Sequence, residues 1–117
     1  MIDIPSMIKG YINYYKSDFK DEEAQELAWQ LEDYIENNPK LAIQIISDLI
    51  NLCDSQELLY YIAAGPLENF VNKYGPDFES DLAIISRQNP DFRKALLGVY
   101  PSKTLGEDFI PKLIGIS

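Results

Sequence analysis

Histidine is absent from all 117 residues, and cysteine occurs once, as Cys53. The first absence removes the commonest general base and the imidazole metal ligand. The second excludes an intrachain disulfide, and without a histidine Cys53 cannot belong to a Cys-His catalytic pair. Its neighbours Ile50 and Leu52 predict a buried thiol. Basic residues are also scarce, 10 against 19 acidic ones, for a formal net charge of -9. Such a surplus repels phosphate backbones and draws basic partners, so direct nucleic-acid binding is not expected. No run approaches the roughly 20 apolar residues of a membrane span, and Met1 to Gly10 lacks a basic segment followed by a signal-type apolar run. The expected address is a reducing cytoplasm, away from any membrane. With no phosphate-cradling glycine loop, no Ser-His-Asp set and no paired cysteines, no catalytic residue, metal site or cofactor is expected.

What is present is ordinary globular material, 46% hydrophobic and 25% charged, which fits one folded domain over 1–117 rather than a disordered acidic tail. Apolar residues recur at spacings of three and four between Pro and Gly punctuation, so the chain reads as all-α, about seven short helices. Met7, Ile8, Tyr11, Ile12 and Tyr15 form the stripe of the first helix. Ala24, Leu27, Ala28, Leu31 and Ile35 form that of the second. Leu41, Ala42, Ile45, Ile46, Leu49, Ile50 and Cys53 make a third stripe too wide for a one-sided surface helix, which predicts a central element. Asn38-Pro39, Gly65-Pro66, Gly75-Pro76 and Asn89-Pro90 each predict one helix stopping and another starting. The pairs at 38, 65 and 89 lie 27 and 24 residues apart. That spacing suggests a compact bundle of helical hairpins, with HEAT-like stacking as a variant. Beyond Pro101 the pattern decays, and Phe109, Ile110, Leu113 and Ile114 predict that 101–117 lies against the body as a strap or a last turn of helix.

The strongest local motif is Ala63-Ala64-Gly65-Pro66-Leu67-Glu68. Gly65 suits a helix junction, Pro66 a first helical position, and Glu68 a carboxylate reaching back to free backbone amides. Small residues at 63–65 also leave room for something to approach Glu68. With Glu57 to Ile62 before it, and Pro90-Asp91-Phe92-Arg93-Lys94-Ala95-Leu96 later, this stretch resembles a family of small bacterial all-helical domains of unknown function. The resemblance covers roughly residues 40 to 100, implies a scaffold that maintains the turn between helices, and brings no catalytic residues.

The negative charge is local. Asp18, Asp21, Glu22, Glu23, Glu26, Glu32, Asp33 and Glu36 face a single base, Lys20. Glu22-Glu23-Ala24-Gln25-Glu26 matches the first half of the carboxylate motif that all-helical pyrophosphohydrolases use to hold magnesium, but the second half is missing. On a wheel of about 100° per residue, Glu22, Glu26, Trp29, Asp33 and Glu36 lie opposite the buried stripe. An outward Trp ringed by carboxylates has the composition of a binding anchor for a basic partner. The competing expectation is that Tyr11, Tyr14 and Tyr15 of the first helix cover Trp29. Of the pair Tyr60-Tyr61, the apolar pattern places Tyr61 nearer the surface than its neighbours, with a half-buried core tyrosine as the leading expectation. By size, charge and lack of catalytic groups the chain resembles acidic bacterial toxin-immunity proteins. The expected function is neutralisation of a basic partner, above all a nuclease toxin domain, with Glu22, Glu26, Trp29, Asp33 and Glu36 as contacts. The alternatives are a non-inhibitory helical adaptor or scaffold, and a magnesium-dependent carboxylate-site enzyme. Nothing in the sequence sets the oligomeric state.

Overall fold

A computed structural model describes residues 3–115. Among them the regular structure is helical throughout, with eight α-helices, one π turn and one 3-10 turn. Ile116, the end of the apolar run that starts at Leu113, lies outside the described residues. Contacts divide the chain into two units within the third helix, Met1–Leu49 and Ile50–Ser117.

The first unit begins with α1 (Ile4–Lys16) and α2 (Glu22–Asn37), packed on each other as a hairpin. Asp3 caps α1 by accepting from Ser6 N at 2.8 Å, and Asp21 caps α2 by accepting from Ala24 N at 3.1 Å. Each carboxylate satisfies an amide that the first helical turn leaves open. Between the helices, Asp18 N donates to Tyr15 O at 3.0 Å and Phe19 N to Tyr14 O at 2.9 Å. This is a Schellman closure, with Asp18 in the left-handed position that glycine usually takes. Asp18 and Phe19 both have φ of 63°, a conformation that costs a residue with a β-carbon about 1 kcal/mol or more. Ring packing holds it in place, since Phe19 meets Tyr14 and Tyr15 edge-on at centroid distances of 5.3 and 5.9 Å. Ser17 Oγ ties the turn further, accepting from Lys20 N and Asp21 N. Gln25 Nε2 donates to Tyr14 Oη at 2.9 Å and so links the two helices.

The third helix, α3 (Pro39–Asn51), buries Ala42, Ile43, Ile45, Ile46, Leu49 and Ile50, the wide apolar surface expected from its sequence. Leu41 departs from the predicted stripe and is exposed. One residue short of Ala42 and four short of Ile45, it falls off the inward arc of the helix.

In the second unit α4 (Gln56–Ile62), a π turn over Ala63–Leu67 and α5 (Glu68–Tyr74) run on without a break. The stop expected at Gly65-Pro66 is therefore corrected. Proline disfavours helix at the residue before it mainly by colliding with that residue's β-carbon, and Gly65 has none. The wider turn also eases the clash between the Pro66 ring and the preceding carbonyls. Asn38 and Asn89, which carry β-carbons, leave the helical region before their prolines, with φ/ψ of -134/71° and -129/102°. At Gly75-Pro76 the chain makes a 3-10 turn into α6 (Glu79–Gln88). Gly75 is there for space: a β-carbon on it would meet the Phe109 ring at 3.1 Å.

Asn89 then caps α7 (Pro90–Leu97), accepting from Asp91 N at 3.0 Å and Phe92 N at 3.2 Å, while its amide donates to Asn51 Oδ1 at 2.9 Å. Helix α7 packs on α6, on α4 and on the π turn. The tail forms α8 (Phe109–Leu113) against α6 and buries Ile110, Leu113 and Ile114.

Candidate partner-binding face

The outer face of α2 carries all five residues singled out in the sequence. Glu22, Glu26, Trp29, Asp33 and Glu36 are all exposed. Their spacing of four, three, four and three keeps consecutive members within one turn of each other. Fourteen steps from Glu22 to Glu36, at about 1.5 Å of rise each, make the stripe about 21 Å long. Trp29 stands at its centre, 57% exposed, so the three tyrosines of α1 do not cover it. Tyr14 and Tyr15 pack around Phe19 instead, and Tyr11 is buried. The α2 stripe faces outward because Ala24, Ala28, Leu31 and Ile35 take the opposite side into the core.

Among the described residues, no hydrogen bond or ion pair engages the side chains of Glu22, Glu26 or Trp29. Asp33 is oriented from within the helix, its carboxylate accepting from Asn37 Nδ2 at 3.2 Å. Glu32, at the edge of the stripe, has its carboxyl pushed above the usual range by partial desolvation. Four outward carboxylates around an accessible indole form a surface that attracts cations, with an apolar anchor at its middle. Chemically, it can bind and steer. Among the described residues no three His, Cys, Asp or Glu side chains gather where a metal ion could sit, so Glu22, Glu23 and Glu26 are not joined by further ligands.

Three sequence-level expectations outside α2 are corrected. Glu68 does not reach back to the amides of its own helix; its Oε1 accepts from Tyr100 N at 2.8 Å, across 32 residues. Asn72, one turn later, donates to Tyr100 O at 3.2 Å and accepts from Ser102 N at 2.8 Å. The two side chains hold the segment after α7 against α5. Of the tyrosine pair, Tyr61 is half-buried, in keeping with the leading expectation for it, but Tyr60 and not Tyr61 is the one nearer the surface. Cys53 is half-buried rather than buried, because α3 ends at Asn51 and the residue leaves the helical stripe that was to bury it. Burial, followed by the nearby charges of Asp54 and Asp91, still pushes its thiol up to about 11.

Sequence reasoning missed a second exposed apolar group, Tyr60, Leu97 and Tyr100. A signal for it existed: on the α7 wheel Leu97 lies about 140° from buried Phe92.

The molecule is thus all-helical, and one of its helices presents a continuous acidic face with a tryptophan at the centre. A family model described as "Family of unknown function (DUF6869)" matches residues 17–110, and the chain belongs to that family. The matched residues take in α2 with Trp29. No curated protein and no solved structure matches the chain. No helix among the described residues is long and apolar enough to cross a membrane.

Proposed function

We propose that this protein is an acidic binding protein that neutralises a basic partner, foremost an immunity protein against a bacterial nuclease toxin, acting in the cytoplasm. The observation that carries the reading is the 57% exposure of Trp29 within a stripe of four exposed carboxylates. A toxin that holds RNA or DNA presents cations at its active site. An acidic helix about 21 Å long offers carboxylates in place of phosphates, and its field speeds encounter. Trp29 supplies contact area that water-exposed charges alone do not. The non-inhibitory adaptor reading uses the same face without an active site beneath it.

The test is capture of partners from the native host at low and high salt, with wild-type protein and a Trp29→Ala variant side by side. A single basic, nuclease-like chain that binds the wild type and is lost with the variant supports the inhibitor reading. Retention of that chain by a folded Trp29→Ala variant, or capture of no basic chain, overturns it.

A further inference from the structure

We infer that the second unit carries a separate docking surface, formed by Tyr60, Leu97 and Tyr100 and edged by Arg93 and Lys94, for an acidic peptide segment with an apolar anchor. The three apolar residues are 44%, 58% and 81% exposed. Tyr60 of α4 lies beside Gly98 at the end of α7, the glycine that stands between Leu97 and Tyr100 in the chain. A β-carbon placed on Gly98 would sit 3.6 Å from Tyr60 Cδ1, with Leu97 before that glycine and Tyr100 two residues beyond it. The surface is built rather than loose. Gln56 Nε2 donates to Tyr60 Oη at 2.6 Å, and Glu68 and Asn72 pin the backbone of Tyr100 on both its N–H and its carbonyl. A tethered Tyr60 ring and a fixed Tyr100 backbone reduce the freedom lost on binding, which favours their use as anchors.

Charge decides the partner. Between residues 87 and 103 four bases, Arg87, Arg93, Lys94 and Lys103, stand against one acid, Asp91, in a chain that is otherwise strongly acidic. Arg93 and Lys94 lie one turn before Leu97 on the same outer side of α7, and both are exposed. Glu57 borders the far side of Tyr60, and the carboxylate of Glu68 is already engaged by Tyr100 N. A ligand with carboxylates beside an apolar side chain therefore finds cations next to an aromatic floor. A nucleic acid, with charge at every phosphate, meets the repulsion of the net -9, so the occupant is a peptide.

The test is panning of a random 12-residue phage-displayed peptide library against the full chain, followed by fluorescence anisotropy with the best synthetic peptide. Enrichment of Asp- and Glu-containing peptides with Leu, Phe or Trp is expected. Their binding should weaken at least tenfold in the double variant Leu97→Ser/Tyr100→Ser and in Arg93→Glu/Lys94→Glu, while Trp29→Ala leaves it unchanged. Circular dichroism melts of both double variants confirm that they fold. Basic peptides lost only in Trp29→Ala report on the α2 face and leave this proposal to be judged on the acidic ones. Absence of an acidic consensus, or one that survives both double variants, overturns it, as does tighter binding of a 12-nucleotide single strand than of the best peptide.

Discussion

Gly10 of α1 lies directly on Leu27 of α2: a β-carbon on Gly10 would come within 2.7 Å of Leu27 Cδ1. The missing side chain sets how closely the hairpin can close. In an open helix Gly→Ala gains about 1 kcal/mol of propensity, whereas overpacking at a tight contact costs about 1–3 kcal/mol. Gly10→Ala is expected to lower unfolding free energy by about 1–2 kcal/mol, measured by urea denaturation. Adding Leu27→Gly should cost less in that background than alone, because it removes the Leu27 β-carbon that the new methyl meets first. A stabilised Gly10→Ala protein would show that α1 can shift freely.

The clamp on Tyr100 is measurable amide by amide. Glu68→Ala removes a charge-assisted acceptor, an effect of about 1 kcal/mol at an exposed site. Hydrogen exchange at the Tyr100 amide should quicken about fivefold, with the amides inside α7 unchanged. Asn72→Ala should do the same for the Ser102 amide. Equal acceleration across α7 in either variant would mean that the side chains support the whole unit.

Trp29 reports the field of its own surroundings. With its ring exposed among carboxylates, Trp29→Ala should change stability by no more than about 0.5 kcal/mol. In the wild type, caesium ions should quench its fluorescence more efficiently than iodide does, and added salt should shrink the difference. Equal quenching by both ions at low salt would show that the carboxylates exert no useful field at the ring.

Cys53 should be slow to react. With its thiol pushed up to about 11, only about 0.1% is thiolate at pH 8, against about a quarter for a free cysteine near 8.5. A raised pKa of this kind holds the neutral thiol, so reactivity appears only as pH climbs toward the shifted value. Alkylation by iodoacetamide at pH 8 is expected to run about a hundredfold slower than in the urea-unfolded chain. Asp91→Asn should speed it by removing one of the charges that disfavour the thiolate. Equal rates in the folded and unfolded protein would remove the shift.

Much of this architecture is legible from side-chain periodicity. Met7, Ile8 and Tyr11, then Ala24, Ala28, Leu31 and Ile35, face inward as their spacing requires, because amphipathic burial is a local signal. The same wheel places Glu22, Glu26, Trp29, Asp33 and Glu36 outward. Whether Trp29 was covered depended on where the aromatic rings of α1 went, and that was settled by the closing turn. Phe19 adopts a left-handed backbone and draws Tyr14 and Tyr15 to itself. No propensity assigns that role to Asp18-Phe19. The pairing of Glu68 with Tyr100 is equally hidden, since a contact across 32 residues has no periodic signature. Gly10 was readable in principle: an isolated glycine within a helical pattern marks a close approach.

The π turn has one more consequence, for the winding of the rod that contains it. Leu58, Ile62, Pro66 and Phe70 are buried, and so are Leu59, Ala63, Leu67 and Val71, two rows with a strict interval of four. An ideal α-helix advances such a row by about 40° at each step, which over twelve residues would swing its end about 120° away from the side where it began. The wide turn underwinds the rod midway and takes back part of that drift, so both rows stay on the buried side from one end to the other. A four-residue beat sustained across a Gly-Pro step is thus the audible trace of a locally slackened helix, and Pro66, having no amide to offer, keeps that slack from being wound out.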